Sequence, residues 1–372
     1  MTSLQDMNQL GQSPWIDYID RQLVTTGKIN EVLASGVTGL TSNPTIWQKA
    51  FTSTADYDED IKAGVAAGKN VTEIYETIAV SDITKAADAL RPVYDKTNGV
   101  DGYVSLEVAP DLAFDAQGTL EEARRLFKLI DRPNLMIKIP GTPQGIAAYE
   151  QAIAEGININ VTLLFGLGNF YQVADAYFRG LEARAAAKQP VDGVASVASF
   201  FVSRVDSSID AKLQEMADAA SDADKEQLLA LRGKAAIANA KAAYKAWQAL
   251  YASERWTALE KLGAKKQRCL WASTSTKDPA YSDVLYVEQL IGPDTVDTIP
   301  PATIDAFLDH GKAAATLTQG FDEAAQLIGE LEGRGISFEG VAYQLQQDGL
   351  KAFAASFNDM IAAIEAKAKE VK

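Results

Sequence analysis

Eight short apolar or β-branched segments alternate with longer helical patterns along the chain, and this alternation constrains the fold more than any other feature. The segments predict strands at 14–19, 37–44, 102–110, 134–140, 157–166, 193–202, 268–274 and 295–300. Strands that alternate with helices are typical of parallel strands joined by crossover helices. Eight such units predict an α/β fold of the closed (β/α)8, or TIM barrel, class.

Two helical stretches, near 45–98 and 206–262, are longer than a single crossover helix requires. No linker rich in Pro, Gly and Ser divides the chain, so we interpret these stretches as extra helices that decorate the barrel. Together with a C-terminal helical segment, they predict one barrel domain over residues 1–372.

The charge and the scarce residue types exclude several classes of function. The chain carries 50 acidic and 35 basic residues, a formal charge of −15, which argues against nucleic acid and anionic membranes as partners. His310 is the only histidine and Cys269 the only cysteine, so a multi-histidine zinc site, a histidine-based serine triad and an internal disulfide are all disfavoured. Without a signal-peptide pattern or an apolar run of roughly 18 residues, we expect a cytoplasmic protein.

Residues 134–142 read NLMIKIPGT and place Lys138 inside an apolar run. A lysine is almost never fully buried unless it has a partner or a role. Because successive strand side chains point to opposite faces, Lys138 shares a face with Met136 and lies opposite Ile137 and Ile139. It also lies near the C-terminal end of its strand, the end at which barrels carry their chemistry.

Polar residues occur at the same end of six other predicted strands: Asp17, Asn43, Glu107, Thr162, Ser199 and Ser273. In the fifth strand, ININVTLL, Asn158, Asn160 and Thr162 alternate with apolar residues, which predicts a polar barrel interior. An interior filled for packing would contain branched apolar residues, so this pattern favours a functional site. The alternative is that the polar groups bond one another or buried water.

A buried lysine at such a position suggests covalent chemistry. Burial favours the neutral amine, which attacks a carbonyl carbon and forms a Schiff base. Glu107 and Asp17 would supply the acid and the base. The alternative for Lys138 is a structural ion pair with Glu107, although such buried pairs are a poor source of stability.

Two basic residues follow the later strands and could bind a phosphate group. Arg204, in SFFVSR, comes shortly after the sixth strand and could hold a phosphate in a bidentate manner. Lys277, in STSTKDP, lies just past the seventh strand, near the usual phosphate position of barrels. For Arg204 the alternative is an ordinary helix-surface arginine.

Five ordered motifs, GLTSNPTIW, VSLEVAP, LMIKIPGT, ININVTLLF and SFFVSR, resemble the transaldolases of the pentose phosphate pathway. The resemblance extends from PWIDYIDR to LWASTSTK, and the length is similar to that of the longer bacterial branch. It implies a barrel that uses a lysine Schiff base and needs neither a metal nor another cofactor. The donor would be sedoheptulose 7-phosphate or fructose 6-phosphate, and the acceptor erythrose 4-phosphate or glyceraldehyde 3-phosphate.

The resemblance also implies roles for individual residues. Lys138 would form the imine, and Asp17 would take the proton of the C4 hydroxyl as the C3–C4 bond breaks. Glu107 and Thr162 would hold a water that carries protons during imine formation. Asn43 and Asn160 would bind hydroxyls of the dihydroxyacetone unit, and Ser199 and Arg204 would contact the substrate and its phosphate. We also expect Phe201, Ser273 and Lys277 to bind the substrate.

The chain departs from the family pattern after the seventh strand. Many transaldolases carry Ser-x-Arg there, whereas this chain has Ser273-Thr274-Ser275, so we expect Lys277 to replace the missing cation. Related fructose 6-phosphate aldolases tend to carry Gln and Tyr at the positions of Glu107 and Phe201, which favours a transaldolase. A class I aldolase of that type and a non-catalytic sugar-phosphate-binding barrel stay open as alternatives. The sequence leaves the oligomeric state open, with a homodimer among the arrangements it allows.

Overall fold

The computed structural model describes residues 2–370 and contains a closed barrel of eight parallel strands. The strands are β1 (Gln12–Asp17), β2 (Gly39–Thr41), β3 (Val104–Glu107), β4 (Leu135–Pro140), β5 (Ile159–Leu164), β6 (Ser196–Phe201), β7 (Arg268–Ala272) and β8 (Thr295–Ile299). They pair in chain order, and β8 closes the barrel against β1. The predicted fold class is therefore confirmed, with each observed strand lying within or beside its predicted segment.

Helices surround the barrel and fill the connections between strands. They are α1 (Ser3–Gln9), α2 (Arg21–Thr25), α3 (Lys28–Ala34), α4 (Pro44–Ser53), α5 (Asp58–Ala66), α6 (Val71–Lys96), α7 (Ala116–Ile130), α8 (Pro143–Glu155), α9 (Leu167–Ala186), α10 (Ser203–Asp218), α11 (Asp222–Leu229), α12 (Ala235–Tyr251), α13 (Glu254–Glu260), α14 (Leu285–Gln289), α15 (Pro301–His310), α16 (Phe321–Gly333) and α17 (Phe338–Glu370), with a short 3-10 helix at Pro110–Phe114. Within residues 2–370, no helix combines the length and apolar character needed to cross a membrane.

Local sequence signals explain how β4, the strand that carries Lys138, passes into its helix. Thr142 caps α8, because its side chain accepts a hydrogen bond from the Gly145 backbone N–H at 2.9 Å. Pro143 occupies the first helical position, where its missing N–H costs nothing. Gly156 ends the helix with a φ of 89°, a left-handed conformation that glycine adopts without strain. These signals fix the end of β4 and the start of the helix behind it.

The long C-terminal helix α17 lies across the C-terminal end of the barrel. Gln346 donates hydrogen bonds to the carbonyl oxygens of Gly141 at 3.0 Å and Leu163 at 3.1 Å, which follow β4 and end β5. The helix approaches so closely at Gly349 that a Cβ there would lie 2.9 Å from Leu163 Cδ2. Helix α17 therefore forms one wall of the barrel mouth.

The barrel interior is polar, as the alternation in β5 predicts. Asn160 donates to Ser105 Oγ on β3 at 3.1 Å and accepts from Ser199 on β6 at 2.7 Å, so these three side chains meet inside the barrel. Leu163, near the end of β5, lies against helix α17 at the barrel mouth. The register of β5 against β6 shifts between Val161 and Leu164, and Leu163 has a φ of 61°. Such an irregularity changes the face of the following side chain, which here meets α17.

Candidate active site

A cavity of about 540 Å³ opens at the C-terminal end of the barrel, between the strand ends and α17. Lys138 and Asp17 line it from β4 and β1, and Phe353 lines it from α17. This is the end at which (β/α)8 enzymes place their reacting groups. The cavity is therefore the candidate active site.

Lys138 lies at this site with only 6% of its side chain exposed. Its Nζ donates a hydrogen bond to the Ser42 carbonyl oxygen at 3.2 Å and lies 3.6 Å from Glu107 Oε2. The register of the barrel produces this arrangement, since Lys138 lies beside Glu107 on β3 and Asn160 on β5. Three functional groups on adjacent strands thus occupy one level of the barrel.

Glu107 is poised to exchange a proton near neutral pH. Its side chain is 7% exposed, and burial raises its pKa to about 7, with the positive charge of Lys138 opposing the rise and Asp17 adding to it. Within residues 2–370, Glu107 Oε2 and Thr162 Oγ1 are buried without a hydrogen-bond partner. Buried polar atoms usually have partners, so these two point to a bound water or substrate atom.

Asp17 ends β1 and lies close enough to Lys138 to interact with its charge. Thr41, at the end of β2, donates a hydrogen bond to Asp17 Oδ1 at 2.8 Å and fixes the carboxyl group. Burial raises the pKa of Asp17, while Lys138 and the Thr41 hydrogen bond lower it. Two carboxyl groups in different surroundings thus interact with one lysine, an arrangement that can divide acid and base roles.

Three basic side chains line the cavity. Arg204 and Lys277 line it together with Lys49 of α4. No residue of the described chain forms a hydrogen bond or an ion pair with the Arg204 guanidinium, which stacks near the Phe201 ring at 5.5 Å. Burial lowers the pKa of Arg204, so a counterion from outside the chain would be favourable. Lys277 Nζ donates to Ser275 Oγ at 2.6 Å.

The structure brings most of the predicted site residues to this cavity. Asn43, Ser199, Phe201 and Ser273 line it with Lys138, Asp17, Arg204 and Lys277. Glu107 lies beside Lys138 and lines a smaller neighbouring cavity, which shares Asn43 with the first. Asn160 and Thr162 are fully buried on β5.

Three predictions about strand ends are wrong. Strand β2 ends at Thr41, and Asn43 instead caps α4, accepting from the Ile46 backbone N–H at 2.9 Å. Ser199 does not end β6, which continues to Phe201, and Ser273 follows β7 with a φ of 59°. All three residues still line the cavity, Asn43 from a helix cap, Ser273 from a turn and Ser199 from within its strand.

Sequence reasoning missed three groups at the site. Thr41 and Ser42 hold Asp17 and Lys138, and their only sequence signal is their position beside the NP dipeptide that starts α4. Lys49 lies in the second turn of that helix, where a surface lysine is the usual interpretation. Its approach to the cavity depends on the angle of α4, which no local pattern encodes.

The closed barrel and the buried lysine near two carboxyl groups are typical of the class of barrel enzymes that use a Schiff base. A family model described as Transaldolase/Fructose-6-phosphate aldolase matches residues 14–364. The chain is similar to a "Transaldolase" of Trichodesmium erythraeum, with 46% identity over 99% of this chain and 98% of that protein. It is also similar to a "Transaldolase 2" of Nostoc punctiforme, with 47% identity over 98% and 97%, and to a "Transaldolase" of Neisseria gonorrhoeae, with 46% over 98% and 100%.

The chain belongs to the transaldolase/fructose-6-phosphate aldolase family, which is a family of enzymes. The family that the sequence motifs resemble is thereby confirmed. The individual roles of the site residues stay predictions.

Proposed function

We propose that this protein is a transaldolase of the pentose phosphate pathway. It would transfer a dihydroxyacetone unit from sedoheptulose 7-phosphate to glyceraldehyde 3-phosphate, giving erythrose 4-phosphate and fructose 6-phosphate. The observation that carries the proposal is the buried Lys138 amine, 3.6 Å from a Glu107 carboxyl group whose pKa is about 7. Family membership and the relatives named transaldolase support it.

The first step forms a C–N bond between Lys138 and the ketone carbon of the donor. The amine adds to the carbonyl, and the resulting carbinolamine loses its hydroxyl group as water to give the iminium ion. Glu107 gives a proton to the departing hydroxyl group, which suits an acid with a pKa near 7. The water molecule that carries protons in this step would lie between Glu107 Oε2 and Thr162 Oγ1. Both atoms lack a hydrogen-bond partner within residues 2–370.

The second step breaks the C3–C4 bond of the bound donor. Asp17 takes the proton of the C4 hydroxyl, the C4–O bond becomes a carbonyl, and the electron pair of C3–C4 moves into the iminium to form an enamine. The released aldehyde leaves, and the acceptor aldehyde takes its place. The enamine then attacks that aldehyde, Asp17 returns the proton, and hydrolysis of the new imine frees Lys138.

The remaining residues would hold the substrate. Asn43 and Asn160 offer amide groups to the hydroxyls of the dihydroxyacetone unit, and Ser199 adds a hydroxyl already bonded to Asn160. Phe201 and Ser273 line the path toward the phosphate.

The phosphate group would bind among Arg204, Lys277 and Lys49. Arg204 offers a fork of donors without a counterion in the described chain, which suits bidentate binding of phosphate. The local positive charge contrasts with the chain's formal charge of −15 and supports an anionic substrate.

Reductive trapping tests the proposal. Borohydride added with fructose 6-phosphate should attach a three-carbon unit to Lys138, located by peptide mass spectrometry. The variant Lys138→Met should show neither the label nor donor–acceptor exchange. Labelling of a different lysine, or exchange in the variant, would contradict the proposal.

Product analysis without an acceptor aldehyde separates the transaldolase from a fructose 6-phosphate aldolase. A transaldolase should retain the dihydroxyacetone unit on the enzyme, whereas an aldolase should release free dihydroxyacetone in repeated turnovers. A barrel that binds sugar phosphates without turnover would give neither an adduct nor a product. The variant Arg204→Met should raise KM for fructose 6-phosphate by about 10- to 100-fold.

The proposal includes a cytoplasmic location and leaves room for a homodimer. The single cysteine suits a reducing compartment, and sugar phosphates are intracellular metabolites. Fractionation of cells and sedimentation of the purified protein would test the two statements separately.

A further inference from the structure

The two cations nearest the proposed phosphate position come from separate segments and repel each other. Arg204 lies in the first turn of α10, whereas Lys277 lies in the connection between β7 and α14. Burial lowers the pKa of Lys277, and the positive charge of Arg204 lowers it further. A phosphate would draw the two together, but before it binds the chain itself must hold them at the right separation.

The backbone fixes only the start of that connection. Ser273 accepts a hydrogen bond from the Ser203 backbone N–H at 3.1 Å, and the two hydroxyl groups lie 2.9 Å apart. Ser273 has a φ of 59°, an uncommon conformation for a residue with a side chain, so the chain turns sharply here. Lys277 lies four residues further on and needs a second support.

Asp206 supplies one such support from the same helix as Arg204. Its side chain is buried, with the residue 1% exposed. Oδ1 accepts from the Ala236 backbone N–H at 2.7 Å, and Oδ2 accepts from the hydroxyl of Tyr286 on α14 at 2.8 Å. One carboxylate therefore joins α10 to the start of α12 and to the far end of the β7–α14 connection.

Asp210 repeats the arrangement one helical turn later. Oδ1 accepts from the Gly233 backbone N–H at 3.0 Å, and Oδ2 accepts from the hydroxyl of Tyr281 at 2.7 Å. Next to Lys277, Asp278 pairs with Arg232 at 3.0 Å. The segment that carries Lys277 is thus held on both sides of the lysine.

Packing alone does not explain two buried carboxyl groups at this place. Burial raises the pKa of Asp206 to about 6, which shows that the charged form is costly there. Apolar residues of similar size would often be neutral or better for stability than buried charges. Charged acceptors do give strong and directional hydrogen bonds, which suits a role in holding geometry.

We propose that Asp206 and Asp210 are positioning residues for the phosphate subsite. Through the hydroxyls of Tyr286 and Tyr281 they hold the β7–α14 connection against α10, and this fixes the spacing of the two cations. The inference rests on the proposed function, because it assumes a phosphorylated substrate.

The double variant Tyr281→Phe/Tyr286→Phe tests this role and keeps both rings in place. We expect KM for fructose 6-phosphate and the inhibition constant of inorganic phosphate to rise about fivefold or more. The kcat value, and the rate of borohydride trapping with unphosphorylated dihydroxyacetone, should stay within about twofold of the unsubstituted protein. A matched control is Tyr103→Phe/Tyr177→Phe, which removes two buried hydroxyls that donate to Gly99 and Lys265 carbonyls at the opposite end of the barrel.

The outcomes separate this inference from the proposed function. Unchanged KM and phosphate inhibition in the double variant would overturn the inference. A similar loss with phosphorylated and unphosphorylated substrates, or an equal loss in the control, would overturn it too, because it would show a general structural effect. If the proposed function is wrong, the unsubstituted protein itself should form no borohydride adduct. Phosphate binding, measured by calorimetry, can still be compared between the variants in that case.

The variants Asp206→Asn and Asp210→Asn keep one amide oxygen as an acceptor. They should therefore show a smaller rise in KM than the corresponding alanine variants.

Discussion

Both ends of the barrel interior contain charged side chains, but the two sets of side chains differ in how many partners they have. At the N-terminal end, Arg268 of β7 donates to Ser13 of β1 at 2.7 Å and pairs with Asp101 at 3.6 Å. Asp101 also accepts from the Trp15 indole N–H at 2.8 Å. At the C-terminal end, Lys138 and Glu107 are also 3.6 Å apart, but Glu107 Oε2 accepts no hydrogen bond and Arg204 has no ion-pair partner in the described chain.

The difference indicates that one end serves stability and the other serves binding. Charged groups that bond one another lower the cost of their own burial, so removing one partner destabilises the fold. Groups that lack a partner within the described chain gain one from a ligand, so removing such a group weakens binding or turnover. Substitutions at the two ends should therefore separate stability from activity, and the predictions below test that separation.

The largest effect is expected for Lys138→Met. Without the amine no imine forms, and kcat should fall about a thousandfold or more. The unfolding free energy should change by less than about 2 kcal/mol, because Glu107 can take up a proton once the lysine is absent. Steady-state rates and urea unfolding measure the two effects. A large loss of stability would show that the Lys138–Glu107 pair also stabilises the fold, which would contradict the division of roles between the two ends of the barrel.

The second-largest effect is expected for Arg268→Met, at the N-terminal end of the barrel. It leaves Asp101 buried without its ion pair, which should lower the unfolding free energy by about 3 kcal/mol or more. The kcat per folded molecule should stay unchanged, because Arg268 does not reach the site. The control Arg124→Met removes an exposed pair with Glu155 and should have little effect on stability. Loss of kcat in the folded fraction of Arg268→Met would contradict the division between the ends.

Glu107→Gln should affect rate and stability in opposite directions. The rate of imine formation should fall about a hundredfold, and its pH dependence near 7 should disappear, since the amide cannot transfer the proton.

The stability effect of Glu107→Gln follows from the raised pKa. The folded state binds this proton more tightly than the unfolded chain, so the contribution to stability is present below the ordinary pKa near 4.5 and is lost as the pH rises through about 7. The amide never ionises, so the variant should gain Tm relative to the unsubstituted protein at pH 8 and much less at pH 5. A larger gain at pH 5 than at pH 8 would contradict this assignment of the pKa.

The features that the sequence predicts are those with a local pattern. The eight strands and the inward position of Lys138, Glu107 and Asn160 follow from the alternation of apolar and polar residues. The position of Asp17 follows from the rule that barrel chemistry gathers at C-terminal strand ends. These predictions needed no knowledge of how distant helices pack.

Other features depend on contacts between distant segments and could not be predicted. The hydrogen bond from the Tyr286 hydroxyl to Asp206 joins residues 80 positions apart in the sequence. Helix α17 reaches the mouth through Gln346, whose bond to Gly141 spans 205 positions. The register shift between Val161 and Leu164 of β5 likewise has no local sequence signal.

The smallest effect is expected for Lys49→Met, and it distinguishes the rim of the mouth from its interior. Lys49 is exposed, so solvent and salt screen its attraction for a phosphate, whereas the partly buried Arg204 is screened less. At low salt, KM for fructose 6-phosphate should rise about two- to threefold, and the rise should vanish near 0.5 M salt, where the Debye length is about 4 Å. The effect of Arg204→Met should persist at that salt concentration. Lys62→Met, which removes an exposed lysine of α5 paired with Glu59, is the control. An effect of Lys49→Met that does not depend on salt would indicate direct contact between this lysine and the phosphate. An equal rise in KM in the control would show that the effect comes from the general charge of the protein surface.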